Sequence, residues 1–202
     1  MEYIKASELQ FDPRPQMSDM FTEGFYVWLK YFSKDKNKLK AAFAHIFKPE
    51  CFYLAVDNGE IAAMAACVAN STKPVAFDKK TLIKNLGIFR GRFAHYMLTK
   101  QLINSTYPIE MTSQSKAIEF VVTSPKHQGK RLGQNLLTFI MNAKVPAEYV
   151  LEVADNNAPA VHLYKKLGFV EVKRVAAHKK SGFDYLLYMA VQNSDMAVKK
   201  YD

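Results

Sequence analysis

A nearly continuous apolar run, AIEFVVT at residues 117–123, constrains the fold of this chain more than any other feature. Such a run is expected for a strand that is covered on both faces of its sheet. A second run of this kind, EYVLEVA, occupies residues 148–154. Between the two lies an amphipathic helix, whose apolar face consists of Leu132, Leu136, Leu137, Ile140 and Met141. Strand, helix and strand in this order predict a right-handed parallel unit.

The segments around this unit predict more strands and helices. Apolar residues from 17 to 32 recur at helical spacing, and 33–38 is typical of a charged loop. A second short helix must end near Lys48, because Pro49 disfavours helix in the residue before it. The other predicted elements are a hairpin of strands 51–56 and 61–69 around Asn58-Gly59, a helix at 158–167 that ends at Gly168, and strands at 169–176 and 183–191. This order predicts a mixed α/β domain around one sheet.

Residues 73–116 form a long segment that does not fit this alternation of strands and helices. Its middle, about 79 to 104, has apolar residues at mainly helical spacing, and Gly87 and Gly91 are expected to break or kink the helix. Phe89 and Phe93 fall on the apolar helix face, so we expect them in the core. Residues 73–109 hold seven basic residues and one acidic residue, a net charge of +6. We predict one domain over 1–202, with a helical insertion at about 73–116.

Composition narrows the class of protein. The 202 residues are 49% hydrophobic and 23% charged, which is ordinary for a globular domain with a core. The N-terminus is polar, and the longest apolar stretch, 61–69, is far below the roughly 20 residues needed to span a bilayer, so we expect a soluble, cytoplasmic protein. Cys51 and Cys67 lie in apolar, strand-like runs and are interpreted as buried small hydrophobes. The five histidines are scattered, so we predict no metal.

The turn between the first apolar run and its helix has the chemistry of an anion site. Gly129 and Gly133 lie four residues apart, with Lys130 and Arg131 between them. The N-terminus of a helix presents free N–H groups and positive partial charge, and glycine lets the backbone approach a phosphate closely. The turn therefore predicts a phosphate or pyrophosphate ligand. Both GxxxxGK[ST] and GxGxxG are absent, which argues against a P-loop and a dinucleotide fingerprint.

Two motifs resemble the GNAT superfamily of N-acetyltransferases. Residues 128–133, QGKRLG, resemble the [QR]-x-x-G-x-[GA] signature that holds the pyrophosphate of acetyl-CoA. The family's usual middle glycine is Arg131 here, and its N–H can still point at a phosphate if Arg131 takes ordinary helical dihedrals. Residues 157–169 are similar to the N-x-x-A-x-x-L-Y-x-x-x-G-F segment, with matches at Asn157, Ala160, Leu163, Tyr164, Gly168 and Phe169. The resemblance covers about 117–190 well and implies a GNAT-like fold whose parallel strands, 117–123 and 148–154, splay apart.

The resemblance also implies residues that bind acetyl-CoA, the cosubstrate. The backbone of Val121, Val122 and Thr123 would pair with the pantetheine arm, although these residues can equally be core strand residues. The pyrophosphate would be held by Gln128, Gly129, Lys130, Arg131, Leu132, Gly133 and Gln134. Asn157 would hydrogen-bond the pantetheine; a simple turn or N-cap role is the alternative.

Two side chains are candidates for catalysis on the same resemblance. Tyr164 stands where the family often has the general acid that protonates the CoA thiolate. Alternatively, the ring of Tyr164 packs under the cofactor and transfers no proton. Glu119 is the only ionisable side chain in AIEFVVT, and a carboxylate in an apolar strand is costly unless it is partnered. It is either a general base for the acceptor amine or a side chain that reaches solvent at the beginning of the strand.

The resemblance implies an N-acetyltransferase that moves the acetyl group of acetyl-CoA to a primary amine of a small molecule or peptide by direct attack. The alternative is a non-catalytic acyl-CoA-binding sensor or interaction module. The net charge of 73–109 argues against polycationic acceptors such as aminoglycosides or polyamines. Nucleic acid is a third candidate partner, but we do not expect it as the primary one, since Phe89 and Phe93 are predicted to be core. We expect no membrane partner and a monomer or homodimer.

Overall fold

The computed structural model describes residues 1–69, 71–142, 148–179 and 181–192; the last ten residues of the predicted domain lie outside this part. One sheet of seven strands has the order β1-β2-β3-β4-β5-β7-β6. Neighbouring strands are antiparallel except β4 and β5, which are parallel. The strands are β1 Glu2–Lys5, β2 Phe52–Asp57, β3 Glu60–Ala69, β4 Lys116–Thr123, β5 Glu148–Ala154, β6 Val170–Ala176 and β7 Tyr185–Gln192. The predicted mixed α/β fold with a parallel pair is confirmed.

Helices cover both faces of the sheet, and none in the described part of the chain is long and apolar enough to cross a membrane. One apolar cluster joins α1, α3, α4 and α5 to the first face, and another joins α6 and α7 to the second. The helices are α1 Arg14–Gly24, α2 Tyr26–Leu29, α3 Lys36–Phe43, α4 Lys79–Leu86, α5 Ile88–Leu98, α6 Leu132–Asn142 and α7 Ala158–Lys166. A π-helical turn, Thr99–Ile103, continues α5.

The N-terminal third differs from the sequence prediction in three places. The strand β1 was missed, because its four residues are too short for a period to show. The single helix predicted over 17–32 is divided into α1 and α2 at Phe25, which has non-helical dihedrals (φ −113°, ψ 15°). The charged loop predicted at 33–38 already contains the first turn of α3, because the Asp35 carboxylate accepts hydrogen bonds from the N–H groups of Asn37 and Lys38.

The hairpin of β2 and β3 is confirmed. Asn58 (φ 49°) and Gly59 (φ 80°) both take left-handed dihedrals, as a two-residue turn that follows the strand twist requires. Cys51 is buried, but it lies in a 3-10 turn before β2 and not in a strand. Cys67 is half-buried in β3.

Residues 71–115, which we call the β3–β4 connection, hold two helices packed backbone to backbone. The predicted break lies at Gly87 (φ 85°), whereas Gly91 continues α5. A Cβ on Gly91 would lie 2.5 Å from Ile83 Cα and 2.7 Å from Leu82 O. The core prediction for Phe89 and Phe93 is wrong, since their exposed fractions are 89% and 52%. The helix buries a row of smaller residues instead, Gly91, Ala94 and Leu98.

The contact at Gly91 generates a stability prediction. In an unstrained helix Gly→Ala stabilises by about 1 kcal/mol. In Gly91→Ala the methyl group meets backbone that cannot rotate away, so we expect the free energy of unfolding to fall by about 1–3 kcal/mol, as for an overpacked core. Chemical denaturation measures it. Arg90→Ala, an exposed neighbour on the same helix, is the control and should change stability by less than about 0.5 kcal/mol. A more stable Gly91→Ala would contradict the contact.

Candidate active site

The parallel strands β4 and β5 separate soon after they begin. In the described residues their pairing is confined to Lys116↔Tyr149 and Ala117↔Val150. Beyond this point β4 stays paired with β3, and β5 stays paired with β7 as far as Ala154. A wedge therefore opens between β4 and β5, with strand-edge N–H and C=O groups on its walls. We call this wedge the fork.

A β-bulge bends β4 inside the fork. The register with β3 shifts between Met64↔Val122 and Ala66↔Glu119. Phe120 takes φ 54°, a strained conformation for a large side chain. Its ring packs against Phe21, Phe25 and Phe52, with ring centroids 5.9, 6.3 and 6.0 Å away. This packing offsets the strain, and the bulge sends Glu119 and Phe120 to the same face of the sheet.

The turn after β4, where an anion site is predicted, has two residues with positive φ. Gly129 has φ 79° and Arg131 has φ 58°, so the condition stated for Arg131, ordinary helical dihedrals, is not met. Arginine here adopts the backbone conformation that glycine takes most easily. The carbonyl of Arg131 accepts the first helical hydrogen bond, from the Asn135 N–H at 3.0 Å. The N–H groups of Leu132, Gly133 and Gln134 therefore have no acceptor inside the helix.

The charge and space around this turn suit an anion. The side chains of Gln128, Lys130 and Arg131 are all exposed, and Gly129 has open space beside it. The exposed cations add to the positive partial charge of the α6 N-terminus. Gln134 is half-buried in the first turn of that helix.

Gly133 brings the two sequence motifs together. A Cβ on Gly133 would lie 3.3 Å from Thr123 Oγ1 and 3.6 Å from Leu163 Cδ2. The end of β4, the start of α6 and the middle of α7 thus meet at one point. Asn157 caps α7, because its Oδ1 accepts the Ala160 N–H at 3.4 Å. Asn157 therefore has the N-cap role that was the alternative to binding pantetheine. Its side chain is also exposed to solvent.

Tyr164 lies on α7, one residue beyond that contact. It is 6% exposed, and its ring centroid lies 5.9 Å from that of Phe169. Burial raises the pKa of the phenol to about 12, because the phenolate would lose its hydration. Tyr164 therefore keeps its proton at neutral pH, which a general acid must do before it can donate.

A pair of carboxylates lies on the opposite face of the fork. Glu119 and Glu152 each lie two residues beyond the last paired residues, Ala117 and Val150, and they are close enough for the charge of Glu152 to raise the pKa of Glu119. Side chains alternate along a strand, so both point to the face where Ala117 and Val150 join the α1 cluster. Glu119 accepts a hydrogen bond from the Tyr107 hydroxyl at 3.3 Å. The Tyr188 hydroxyl donates to Glu152, and the rings of the two tyrosines are 6.0 Å apart.

Burial raises the pKa of both carboxyls. For Glu119 the charge of Glu152 raises the pKa further, while the Lys73 ammonium and the Tyr107 hydrogen bond lower it. The Glu152 pKa is raised by burial and lowered by Tyr188 and Lys73. The side chain of Glu152 is exposed to solvent, yet the protein around it is dense enough to raise its pKa. A group on the wall of an open cleft has both properties. Lys73 is held nearby by donating to the Ser105 carbonyl at 2.7 Å.

Three of these residues were missed by sequence reasoning. Glu152 had a signal, since it interrupts EYVLEVA just as Glu119 interrupts AIEFVVT. Tyr188 could have been found only from the sheet order, because it is the register partner of Glu152 on β7. Tyr107 lies in an irregular segment and had no signal. Among the described residues no group of three or more His, Cys, Asp or Glu side chains could hold a metal ion.

The family model for the acetyltransferase (GNAT) family matches residues 14–169. The chain belongs to this family. No curated protein sequence matches it significantly. Solved structures share its fold at low identity. An N-acetyltransferase from Staphylococcus aureus Mu50 is 15% identical with a TM-score of 0.64, and the match covers 95% of this chain and 100% of that one.

Two other structures of the same fold act on different acceptors. The ribosomal-protein-S18-alanine N-acetyltransferase from Escherichia coli is 14% identical (TM-score 0.51), with 95% of this chain and 92% of that chain covered. An aminoglycoside 6'-acetyltransferase type Ii is 12% identical (TM-score 0.54), with 96% and 97% covered. At such identities the likeness shows the fold and leaves the acceptor open.

The left-handed Arg131 generates a paired prediction. In Arg131→Gly a strain of about 1–2 kcal/mol is released, so we expect a melting temperature equal to or above that of the wild type. The control is Lys130→Gly, which removes the same charge at a residue whose φ is not positive. No strain is released there, so the added backbone entropy of glycine should lower the stability of the fold by about 0.5–1 kcal/mol. Thermal unfolding compares the two. Equal losses of stability would mean that Arg131 is not strained in solution.

The raised pKa of Glu119 generates a prediction with a defined sign. A carboxyl whose pKa is higher in the folded than in the unfolded state binds more protons when folded, so its contribution becomes unfavourable as pH rises through these pKa values. We therefore expect Glu119→Gln to raise the melting temperature at neutral pH but not below about pH 4, where both states are protonated.

Melting curves over a pH series test this expectation, with the exposed Glu110→Gln in the same connection as the control. A lower melting temperature for Glu119→Gln at neutral pH would mean that Tyr107 and Lys73 stabilise the charged form more than burial disfavours it.

Proposed function

We propose that this protein is an acetyl-CoA-dependent N-acetyltransferase that acts on a primary amine of a small molecule or peptide. The observation that carries the proposal is the fork itself. An anion-binding turn closes its far end, and a carboxylate pair lies on one of its faces. This arrangement supports the proposal, because a phosphate-bearing thioester could lie against the turn while an amine faces the carboxylates.

The residues of the turn and of β4 fit the cosubstrate. The N–H groups of residues 128–134, with the charges of Lys130 and Arg131, would hold the pyrophosphate. The edge of β4 from Val121 to Thr123, which β5 does not pair, would hydrogen-bond the pantetheine amides as a neighbouring strand does. Asn157 would add a side-chain hydrogen bond from the α7 N-terminus. Acetyl-CoA supplies the thioester that is broken.

The side chains of the fork would then move the protons. The neutral amine attacks the thioester carbon and forms the new C–N bond as the carbonyl electrons move onto oxygen; the C–S bond breaks when these electrons return. Positioning supplies much of the rate. Glu119 takes the proton that the amine nitrogen loses, and Glu152 holds negative charge beside it. Tyr164 gives its proton to the departing sulfur. Backbone N–H groups of β4 stabilise the oxyanion that forms on the carbonyl oxygen.

The β3–β4 connection bears on the domain organisation. We interpret the chain as a single acetyltransferase domain in which the β3–β4 connection is an insertion. Its segment 104–112 lies over the acceptor side of the fork. Two contacts carry this placement: Tyr107 reaches Glu119, and the Lys173 ammonium on β6 donates to the Pro108 carbonyl at 2.7 Å.

Binding of acetyl-CoA tests the first half of the proposal. Acetyl-CoA at about 100 times its Kd should stabilise the protein by about 2.7 kcal/mol, a shift in Tm that ATP does not reproduce. Gly133→Glu should abolish the shift, because a carboxylate would fill the cradle beside Thr123 and Leu163. Asn142→Glu places the same charge at the other end of α6 and should keep it. If Gly133→Glu does not fold, the exposed Lys130→Glu replaces it.

Turnover tests the second half. Release of CoA thiol is measured across a panel of amines, for the wild type and for Tyr164→Phe and Glu119→Gln. We expect turnover with at least one amine and a loss of about 10²-fold or more in kcat for each variant, as for a removed acid or base. Unchanged kcat in Tyr164→Phe would remove its acid role. Tight binding of acetyl-CoA without turnover on any amine would instead identify an acyl-CoA-binding module.

A further inference from the structure

A groove of about 690 Å³ lies between the start of α4 and one face of α5 with its π-helical turn. Four basic side chains line it: Lys79, Arg92, His95 and Lys100. Hydrogen-bonding groups of Tyr96, Thr99 and Asn104 complete the lining. The volume is typical of small-molecule sites. None of these residues belongs to the fork or to the anion-binding turn.

The charges in this groove lack counter-charges. No carboxylate lines it, and within the described residues no ion pair or side-chain hydrogen bond engages Lys79, Arg92 or Lys100. The neighbouring Asp78 is committed elsewhere, because its carboxylate accepts from the N–H and the hydroxyl of Thr81 and caps α4. Like charges on the walls of one concavity repel one another, and a bound anion would reverse that repulsion.

The groove is built by a regular face of one helix and a local irregularity. Arg92, Tyr96 and Thr99 recur at spacings of four and three, so they project from the same side of the continuous helix. The π-helical turn then carries Thr99 and Lys100 into the lining. Single π-turns are rare and are found frequently at functional sites.

Aromatic side chains lie on the same helix as these basic ones. The exposed fractions are 89% for Phe89, 52% for Phe93 and 60% for Tyr96. Phe89 and Phe93 are therefore not core residues, and their rings are available to stack on the bases of a nucleic acid. A second copy of the chain does not suit this surface, because it would bring an equally basic face against it.

We propose that this groove is a binding site for a phosphate-bearing anion, separate from the acetyl-transfer site. Arg92 offers the planar fork that pairs with two phosphate oxygens, and Lys79 and Lys100 supply point charges from opposite walls. Tyr96, Thr99 and Asn104 donate hydrogen bonds to the remaining oxygens. The same chemistry occurs in a free phosphorylated metabolite and in the backbone of single-stranded nucleic acid.

Calorimetric titration with sodium pyrophosphate tests the site, at constant ionic strength and with the full chain saturated with CoA so that the anion-binding turn is occupied. We expect saturable binding to the wild type. Arg92→Gln/Lys100→Gln should weaken it by about tenfold or more, the loss of two charge-assisted hydrogen bonds. The matched control, Lys84→Gln/Arg90→Gln, removes the same charge from exposed positions on the same helices and should change Kd by less than about twofold.

Absence of saturable binding, or equal weakening in both double variants, would overturn the proposal. Lys79→Gln, on the opposite wall, gives an independent variant with the same expected direction if the double variant does not fold. A short single-stranded oligonucleotide then distinguishes the two sources. Binding tighter than that of pyrophosphate and weakened by Phe89→Ala assigns the site to a nucleic-acid backbone; otherwise a small phosphorylated molecule is its ligand. Failure of CoA itself to bind would refute the proposed function and leave the groove test intact.

Discussion

The early end of pairing between β4 and β5 is the constraint on which the rest of the site depends. Within the part of the chain that the structure describes, two residue pairs join these strands, yet each strand is held firmly on its other side, by β3 or by β7. The sheet can therefore stay open without unravelling. Opening exposes backbone hydrogen-bonding groups that must find a partner or remain hydrated. The fork thus provides, in one feature, both the space and the polar edge for an extended ligand.

The two faces of the sheet divide the chemistry between them. On the α6 and α7 face lie Gly133 and Tyr164, which in the proposed reaction face the cosubstrate. On the α1 face lie Glu119 and Glu152, which in the proposed reaction face the acceptor amine. The β3–β4 connection links this acidic site to the basic groove, since Asn104 lines the groove and Tyr107, three residues later, donates to Glu119. Three residues span at most about 10–11 Å, so a short segment of backbone joins the two places.

Sequence reasoning was most successful where a pattern is long and local. The runs at 117–123 and 148–154 predicted the parallel pair, and Asn58-Gly59 predicted the hairpin turn. It failed at β1, where four residues carry no period, and at Phe89 and Phe93, where helical spacing suggested the wrong face. The dihedrals of Arg131 depend on how α6 meets β4, which no local propensity encodes. Glu152 and Tyr188 become neighbours only through the strand order, so a linear pattern could not pair them.

The glycine at position 91 has a consequence for how the groove would bind. Because the backbones of α4 and α5 touch there without an intervening side chain, the two helices are expected to move as one body. The backbone positions of Lys79 on the first helix and Arg92 on the second are then fixed relative to each other before any ligand arrives. Binding an anion then costs rotamer freedom in the side chains but no rearrangement of the two helices that carry them.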